Sequence, residues 1–419
     1  MSPAAPRSRL DHSWNFTMPE HMRSEAHILG PGQFSVTAIA SLFAGSTMPT
    51  PFYSEFTRDF GLSSVSMTLV FATYALSLLL TLLTMGTLAD QLGRRAVVRI
   101  SLLLSAIAML TFLIADGLPE LVIARLMQGV ANGIALGALG ATVLESLNTR
   151  GSLLNSVTPF IGLSAGALIG SIVIQASASP RPVAFGLGLA FFAVLGAFSG
   201  DLSTRTNGQP IRLRSFTPRL SIPKAARRTF LSITPANIAA WALGGYFFSL
   251  LPTLIQTALH VNSPLIGGGV VAVQSLAGAL TVLLLRRHPP RRNVAMGELL
   301  ILIGSGSILI AVWAQITSLL LIGVLLAGAG AGASFLGASH QLFPLAADSE
   351  RVGLLSAFYL QSYLAFSVPP LVVAAAVPAF GLAASTIAMS SVLTAIALVA
   401  LLIRAVQSLR KPSTPVGHP

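Results

Sequence analysis

Gly86-Thr87-Leu88-Ala89-Asp90-Gln91-Leu92-Gly93-Arg94-Arg95 joins two apolar runs, near 65–85 and 96–115, each long enough to cross a bilayer as a helix. Spanning about 30 Å of hydrocarbon takes about 20 mainly apolar residues. In the joining segment, Gly86 and Gly93 permit a tight turn with close helix approach, and Asp90 and the arginines can pair across helix ends in a conformational latch. The two arginines also have a plainer reading, as positive charges that set orientation in the membrane. Orientation does not ask for an acid at Asp90.

The rest of the chain repeats this pattern. Of 419 residues, 53% are hydrophobic and 9% are charged, a composition for lipid. Twelve apolar runs of membrane length lie near 33–54, 65–85, 96–115, 121–144, 153–176, 182–200, 229–257, 264–285, 294–313, 318–343, 352–377 and 382–403. Pro51, Pro159, Pro252, Pro369 and Pro370 fall within or at the ends of runs, which membrane helices tolerate. The predicted fold is an all-α membrane protein of twelve transmembrane helices.

The 25 basic residues outnumber 13 acidic ones, and most occupy the termini and the loops at 86–95, 145–152, 201–228, 286–293 and 344–351. Arg58 and Arg181 fall outside these, and Arg125 within a helix. This bias places both termini, 1–32 and 404–419, in the cytoplasm and excludes nucleic acid as a partner, because the charge is scattered among short loops. The first 32 residues lack the basic start and short apolar core of a cleaved signal peptide. The polar connection 201–228, interrupted by Pro210, Pro218 and Pro223, divides six helices (33–200) from six (229–403). A shift of roughly 200 residues brings Gly129 and Gly133 onto Gly328 and Gly332, as expected of duplicated halves that enclose a central cavity.

The 86–95 segment resembles the G-x-L-A-D-x-x-G-R-R signature of the major facilitator superfamily at every defining position. The resemblance implies two pseudo-symmetric six-helix bundles that rock about a central site, with Asp90 near the start of helix eleven, at Arg351 to Ser356. Glu145, at the inner end of helix four, is a candidate partner for Arg94 or Arg95, or else a solvated helix-end acid.

Helix four carries Arg125-Leu126-Met127-Gln128-Gly129, similar to the family's R-x-x-Q-G motif, which is associated with proton-coupled members. An intramembrane arginine needs a partner or water. Arg125, Gln128 and Asn132 share one helical face, which makes them candidates for proton coupling or substrate binding; alternatively Arg125 snorkels to the interface. Gly162, Gly166 and Gly170 in helix five resemble the antiporter motif, except that its Gly-Pro pair is Gly166-Ala167 here; generic close packing is the other reading. The helix-one Asp of many drug/proton antiporters is missing from Phe34 to Phe52. Glu55, just after that helix, either approaches Arg125 or is an external-loop acid. Glu298 and His340, at inner helix ends, have a weaker claim to the proton.

Asn237 and Trp241 on helix seven, Gln274 on helix eight and Tyr359 and Tyr363 on helix eleven are candidates for a cavity lining suited to apolar or cationic organic molecules, though ordinary packing would also explain each. There is no GxxxxGK[ST] or HExxH motif, no cysteine, and no pairing among the seven histidines, so no cofactor, metal or enzymatic activity is expected. The expectation is a monomeric, multi-pass secondary transporter of a plasma membrane, the bacterial inner membrane being the leading assignment. Its work would be proton-coupled efflux of small organic compounds or, alternatively, import of a sugar, organic acid or other metabolite.

Overall fold

The computed structural model describes residues 29–86, 88–199, 202, 220–258 and 263–409. The expected tail at 1–32 and connection at 201–228 therefore lie largely outside the described residues, as do 410–419. Among the described residues twelve long helices follow in order: α1 (Pro31–Thr47), α2 (Ser64–Met85), α3 (Arg94–Ile114), α4 (Leu118–Ser146), α5 (Asn148–Ala176), α6 (Pro180–Ala197), α7 (Lys224–Ser249), α8 (Pro264–Leu285), α9 (Pro290–Ala314), α10 (Thr317–Leu342), α11 (Asp348–Phe380) and α12 (Leu382–Leu409). No strand occurs among the described residues. Ten of these helices are long and apolar enough to cross a membrane. The other two are α1, which has 17 residues, and α7, which carries Lys224, Arg227 and Arg228 in its first two turns.

Two runs break where proline dictates. The first, expected at 33–54, ends as a helix at Thr47, because Pro49 and Pro51 have no N–H to continue the ladder; a turn at Thr50–Phe52 leads into a short helix, Tyr53–Phe60. The seventh, expected to start at 229, begins five residues earlier, just after Pro223, stops at Ser249 and resumes as Leu251–Ala258 around Pro252. By contrast α11 keeps Pro369, Pro370 and Pro378 inside one helix, and α12 runs past the expected end at 403.

The packing partners repeat. In the first half α1 packs on α4 and α5, α4 also on α2 and α3, and α3 on α6. In the second half the same relationships recur with six added: α7 on α10 and α11, α10 on α8 and α9, α9 on α12. The two halves meet through α5 with α8 and α2 with α11, a pair of contacts that the same operation exchanges.

Small residues set the distances. A Cβ on Gly129 would strike the Tyr74 carbonyl and the Ser77 side chain of α2, and one on Gly133 would strike Thr81. The counterparts on α10 meet α8 in the same register: Gly328 lies against Gln274, and Gly332 against Gly278. In the membrane, where lipid tails are as apolar as Leu, such close backbone approach supplies the packing attraction that holds helices together.

Candidate functional site

Arg125 lies on α4 in the interior of the first half, 1% exposed. It does not snorkel. Its guanidinium donates to the Ser46 carbonyl at 2.5 Å, to Gln128 Oε1 at 2.9 Å and to the Tyr53 hydroxyl. The rings of Tyr53, Phe112 and Tyr74 stand 5.3, 5.6 and 5.8 Å from its central carbon. Among the described residues no carboxylate pairs with it. Carbonyl dipoles, a phenol and aromatic faces take the place of a counter-ion, a set of weaker partners that together offset part of the desolvation of a buried cation.

The carbonyls it uses are available because of the α1 break. Pro49 cannot donate to the Gly45 carbonyl four residues back, and Gln128 Nε2 does so instead, at 2.8 Å. Arg125 takes the Ser46 carbonyl, which is left open because α1 ends at Thr47 before the Thr50 N–H can reach it. One turn further, Asn132 Nδ2 donates to the Tyr74 hydroxyl at 2.9 Å and to the Leu42 carbonyl at 3.4 Å. The polar face of α4 is thus a cap for the end of α1. The sequence reading found Arg125, Gln128 and Asn132 but missed Tyr53, Tyr74 and Ser46; the proline spacing at 49 and 51, which strips carbonyls of their donors, was the available signal.

Glu55 is not brought to Arg125. It follows Tyr53 on the short helix and lines a cleft of about 340 Å³ between the halves, with Arg58, Pro252 and Gln256 around it. Burial, and then the neighbouring Asp59, raise its pKa above the ordinary carboxylate range, against the opposing pull of Arg58 and Arg181.

The glycines of α5 face α1. A Cβ on Gly162, Gly166 or Gly170 would strike the carbonyl of Ala40, Ala44 or Met48 respectively. Each glycine therefore meets the next turn of α1.

At the end of the bundle that carries the 86–95 segment, Arg94 forms a bidentate pair with Glu145, at 2.5 and 2.6 Å, joining the start of α3 to the end of α4. Gly93 has φ of +84°, a conformation that a side chain would strain, while Gly86 ends the preceding helix with ordinary dihedrals. Asp90 is exposed and has no hydrogen bond or ion pair among the described residues; Arg95 is half-buried, with its Nε unpartnered.

Where the halves meet, aromatic rings fill the centre. Tyr74, Ala75, Leu78 and Leu79 of α2 pack in one cluster with Tyr363 of α11. Trp241 meets Tyr363 edge-on at 5.1 Å and Phe366 at 5.9 Å, and Phe366 reaches Phe71 across the interface at 5.1 Å. Tyr359 stands 6.3 Å from Tyr363. Asn237 faces α11, donating to Ser362 at 2.8 Å and Gln361 at 3.3 Å. Gln274 is 7% exposed and its Oε1 is buried without a hydrogen-bond partner among the described residues. Sequence reading did not single out Tyr74, Phe71 or Phe366, since isolated aromatics in an apolar run carry no positional signal. His340 is exposed, whereas Glu298 is fully buried and pairs with Arg404 of α12 at 2.6 Å.

A 104-residue stretch is 27% identical to the quinolone resistance protein NorA of Staphylococcus aureus, covering 25% of this chain and 27% of that protein, so the chain spans about a quarter of the length of the curated relatives it matches. Solved structures match over nearly all of the fold. A bacterial homolog of the human lysosomal transporter Spinster, inward-facing and unoccupied, aligns with a TM-score of 0.70 at 14% identity, over 92% of this chain and 98% of its own. A POT family transporter in complex with 5-aminolevulinic acid gives 0.72 at 12% identity, over 90% and 96%. The human organic anion transporter MFSD10 (TETRAN) gives 0.62 at 17% identity, over 89% and 100%. The family model described as Major Facilitator Superfamily matches residues 35–368. With that match over most of its length, and with helices that pack as two equivalent sets of six, this chain belongs to the major facilitator superfamily.

Proposed function

We propose that the protein is a proton-coupled exporter of small organic compounds, working by alternating access between the halves 33–200 and 229–403, with both termini on the cytoplasmic side of a bacterial inner membrane. The observation that carries the reading is the interface itself: Tyr74, Trp241, Tyr363 and Phe366 form an aromatic surface beside the buried Oε1 of Gln274, with no ion pair fixed there among the described residues. Such a surface binds flat apolar or cationic molecules by stacking and adaptable contact. The partial similarity to a quinolone resistance protein supports the same substrate class.

Arg125 is a fully buried cation on α4. Its role is to hold α1 to α4 through Ser46 and Tyr53, so that the half moves as one body. The proton then travels on a carboxylate, and Glu55, in the cleft between the halves, is the candidate. Arg94 with Glu145 fixes the loop at 86–95, and Asp90 is free to engage the opposite half in another state of the cycle. The protein works as a monomer.

The second reading is import of a metabolite. It draws on Ala167, where the antiporter motif has proline, and on the lack of a helix-one carboxylate. Purified protein in liposomes under an imposed pH gradient, with internal pH followed during transport of cationic dyes, separates them. Export coupled to protons predicts substrate movement against the proton flux. Transport with no proton movement overturns the coupling, and dye uptake along the proton flux overturns the direction.

A further inference from the structure

A groove of about 790 Å³ lies in the second half, between α7, α11 and the residues that lead into α7. Its wall is apolar: Leu220, Ile222, Phe230, Leu231, Leu360 and Leu364. Leu220, Leu231 and Leu364 are 49%, 70% and 41% exposed. One edge is built by the chain itself, since the Ser221 N–H donates to the Gly353 carbonyl at 3.3 Å and pins this segment to α11.

The groove does not lead to the centre. Gln361, at its inner side, donates to Thr234 at 2.9 Å and accepts from Asn237 at 3.3 Å, which closes the way toward Trp241.

Its other end is cationic. Arg227 lines the groove, and Lys224, Arg227 and Arg228 are all exposed in the first two turns of α7, with no acidic residue in the first turn. Three cations at the positive end of a helix dipole repel one another and the dipole. The Arg227 side chain has no hydrogen-bond or ion-pair partner among the described residues. Along α11 the acids Asp348 and Glu350 and the cation Arg351 precede Gly353, fewer negative charges than the positive ones of α7 and Arg351 together. The mouth thus carries a net positive charge beside an apolar wall that runs along α11 from Ala357 to Leu364, about 10 Å at 1.5 Å per residue.

We propose that this groove is a binding site for an anionic phospholipid, with an acyl chain along Leu231, Leu360 and Leu364 and the phosphate at Arg227. Charge and shape argue together. A soluble anion would not use the apolar wall, and a neutral lipid would not use the cations. A lipid held there touches both α7 and α11, helices that move relative to α2 when the halves rock, so lipid composition is expected to set the transport rate.

The test uses the full-length protein, delipidated in detergent and incubated with equal amounts of phosphatidylglycerol and phosphatidylcholine of matched chains, with bound lipid counted by native mass spectrometry. Phosphatidylglycerol is expected to be retained in preference, and Arg227→Ala to reduce its retention by about fivefold, the value of about one basic residue at an anionic surface. Leu364→Trp, which fills the wall, is expected to reduce retention of both lipids. A phosphatidylglycerol with a photoactivatable chain should label peptides within 227–231 and 357–364. Equal retention of the two lipids overturns the proposal. So does unchanged retention in Arg227→Ala, displacement by inorganic phosphate at lipid concentration, or labelling confined to peptides elsewhere, including the connection before Leu220.

Discussion

Arg125 on α4 donates to the carbonyl of Ser46 on α1 at 2.5 Å, and this single bond joins the arginine of a family motif to a helix end created by proline. The bond exists because α1 stops at Thr47, so that the Ser46 carbonyl lacks the donor a continuous helix would provide. A positively charged donor is among the strongest partners for such an acceptor.

Replacing Arg125 should therefore abolish transport without removing the protein from the membrane. Arg125→Ala leaves Ser46 and Tyr53 unpartnered in the interior, and Arg125→Lys supplies a point charge that cannot reproduce the fork. Efflux of a cationic dye from cells expressing each variant at wild-type level is the measurement. Normal efflux from Arg125→Ala would return this residue to a packing role.

The α5 glycines offer a steric test. Gly166→Ala puts a methyl group against the Ala44 carbonyl and the Thr47 hydroxyl, both held within the α1–α5 contact. Overpacking of this kind costs about 1–3 kcal/mol. Thermal unfolding in detergent should show a lower midpoint for Gly166→Ala, while Gly186→Ala, where no atom lies within 4 Å of the new Cβ, should match wild type.

Glu298 and Arg404 form a pair with the carboxylate 0% and the arginine 18% exposed, and Arg404 also donates to the Ser232 carbonyl at 2.9 Å, tying α7, α9 and α12. Breaking a buried pair on one side strands the other charge, at about 3–5 kcal/mol. Arg404→Met should thus destabilise more than the double variant Glu298→Gln with Arg404→Met. Equal midpoints for the single and double variants would show that the stranded carboxylate is not the cause.

The pH behaviour of Glu55 has a definite sign. Its carboxyl holds a proton to higher pH in the folded protein than in the unfolded chain, so the folded state binds more protons there, and stability falls as pH rises from about 4.3 through the raised value. Below both values the contribution is complete. Glu55→Gln should accordingly gain in melting temperature relative to wild type between pH 4 and pH 7, and a constant difference across that range would remove Glu55 as a titrating group.

Asp90→Asn tests the latch. Loss of transport turnover with substrate affinity retained, read by dye binding to purified protein alongside efflux, is the expected result. Equal loss of both would place Asp90 in the substrate site instead.

The sequence alone determined the fold and the family, and the physical reason is that each is written locally. Twelve apolar runs follow from the thickness of a bilayer, the duplicated halves from glycines spaced about 200 residues apart, and the 86–95 turn from glycines and charges within ten positions. The polar face of α4 was also legible, since Arg125, Gln128 and Asn132 recur at helical spacing.

Only the tertiary structure decided what those residues touch. It gave Arg125 the Ser46 carbonyl and the Tyr53 hydroxyl in place of Glu55, brought Tyr74 and Phe71 of one half against Tyr363 and Phe366 of the other, and paired Glu298 with Arg404 across 106 positions. Contacts of that kind depend on how helices rotate and approach one another, which backbone-to-backbone packing at small residues fixes. An apolar run has much the same pattern whichever way it is turned, so the partners of its few polar and aromatic side chains are settled only when the helices assemble.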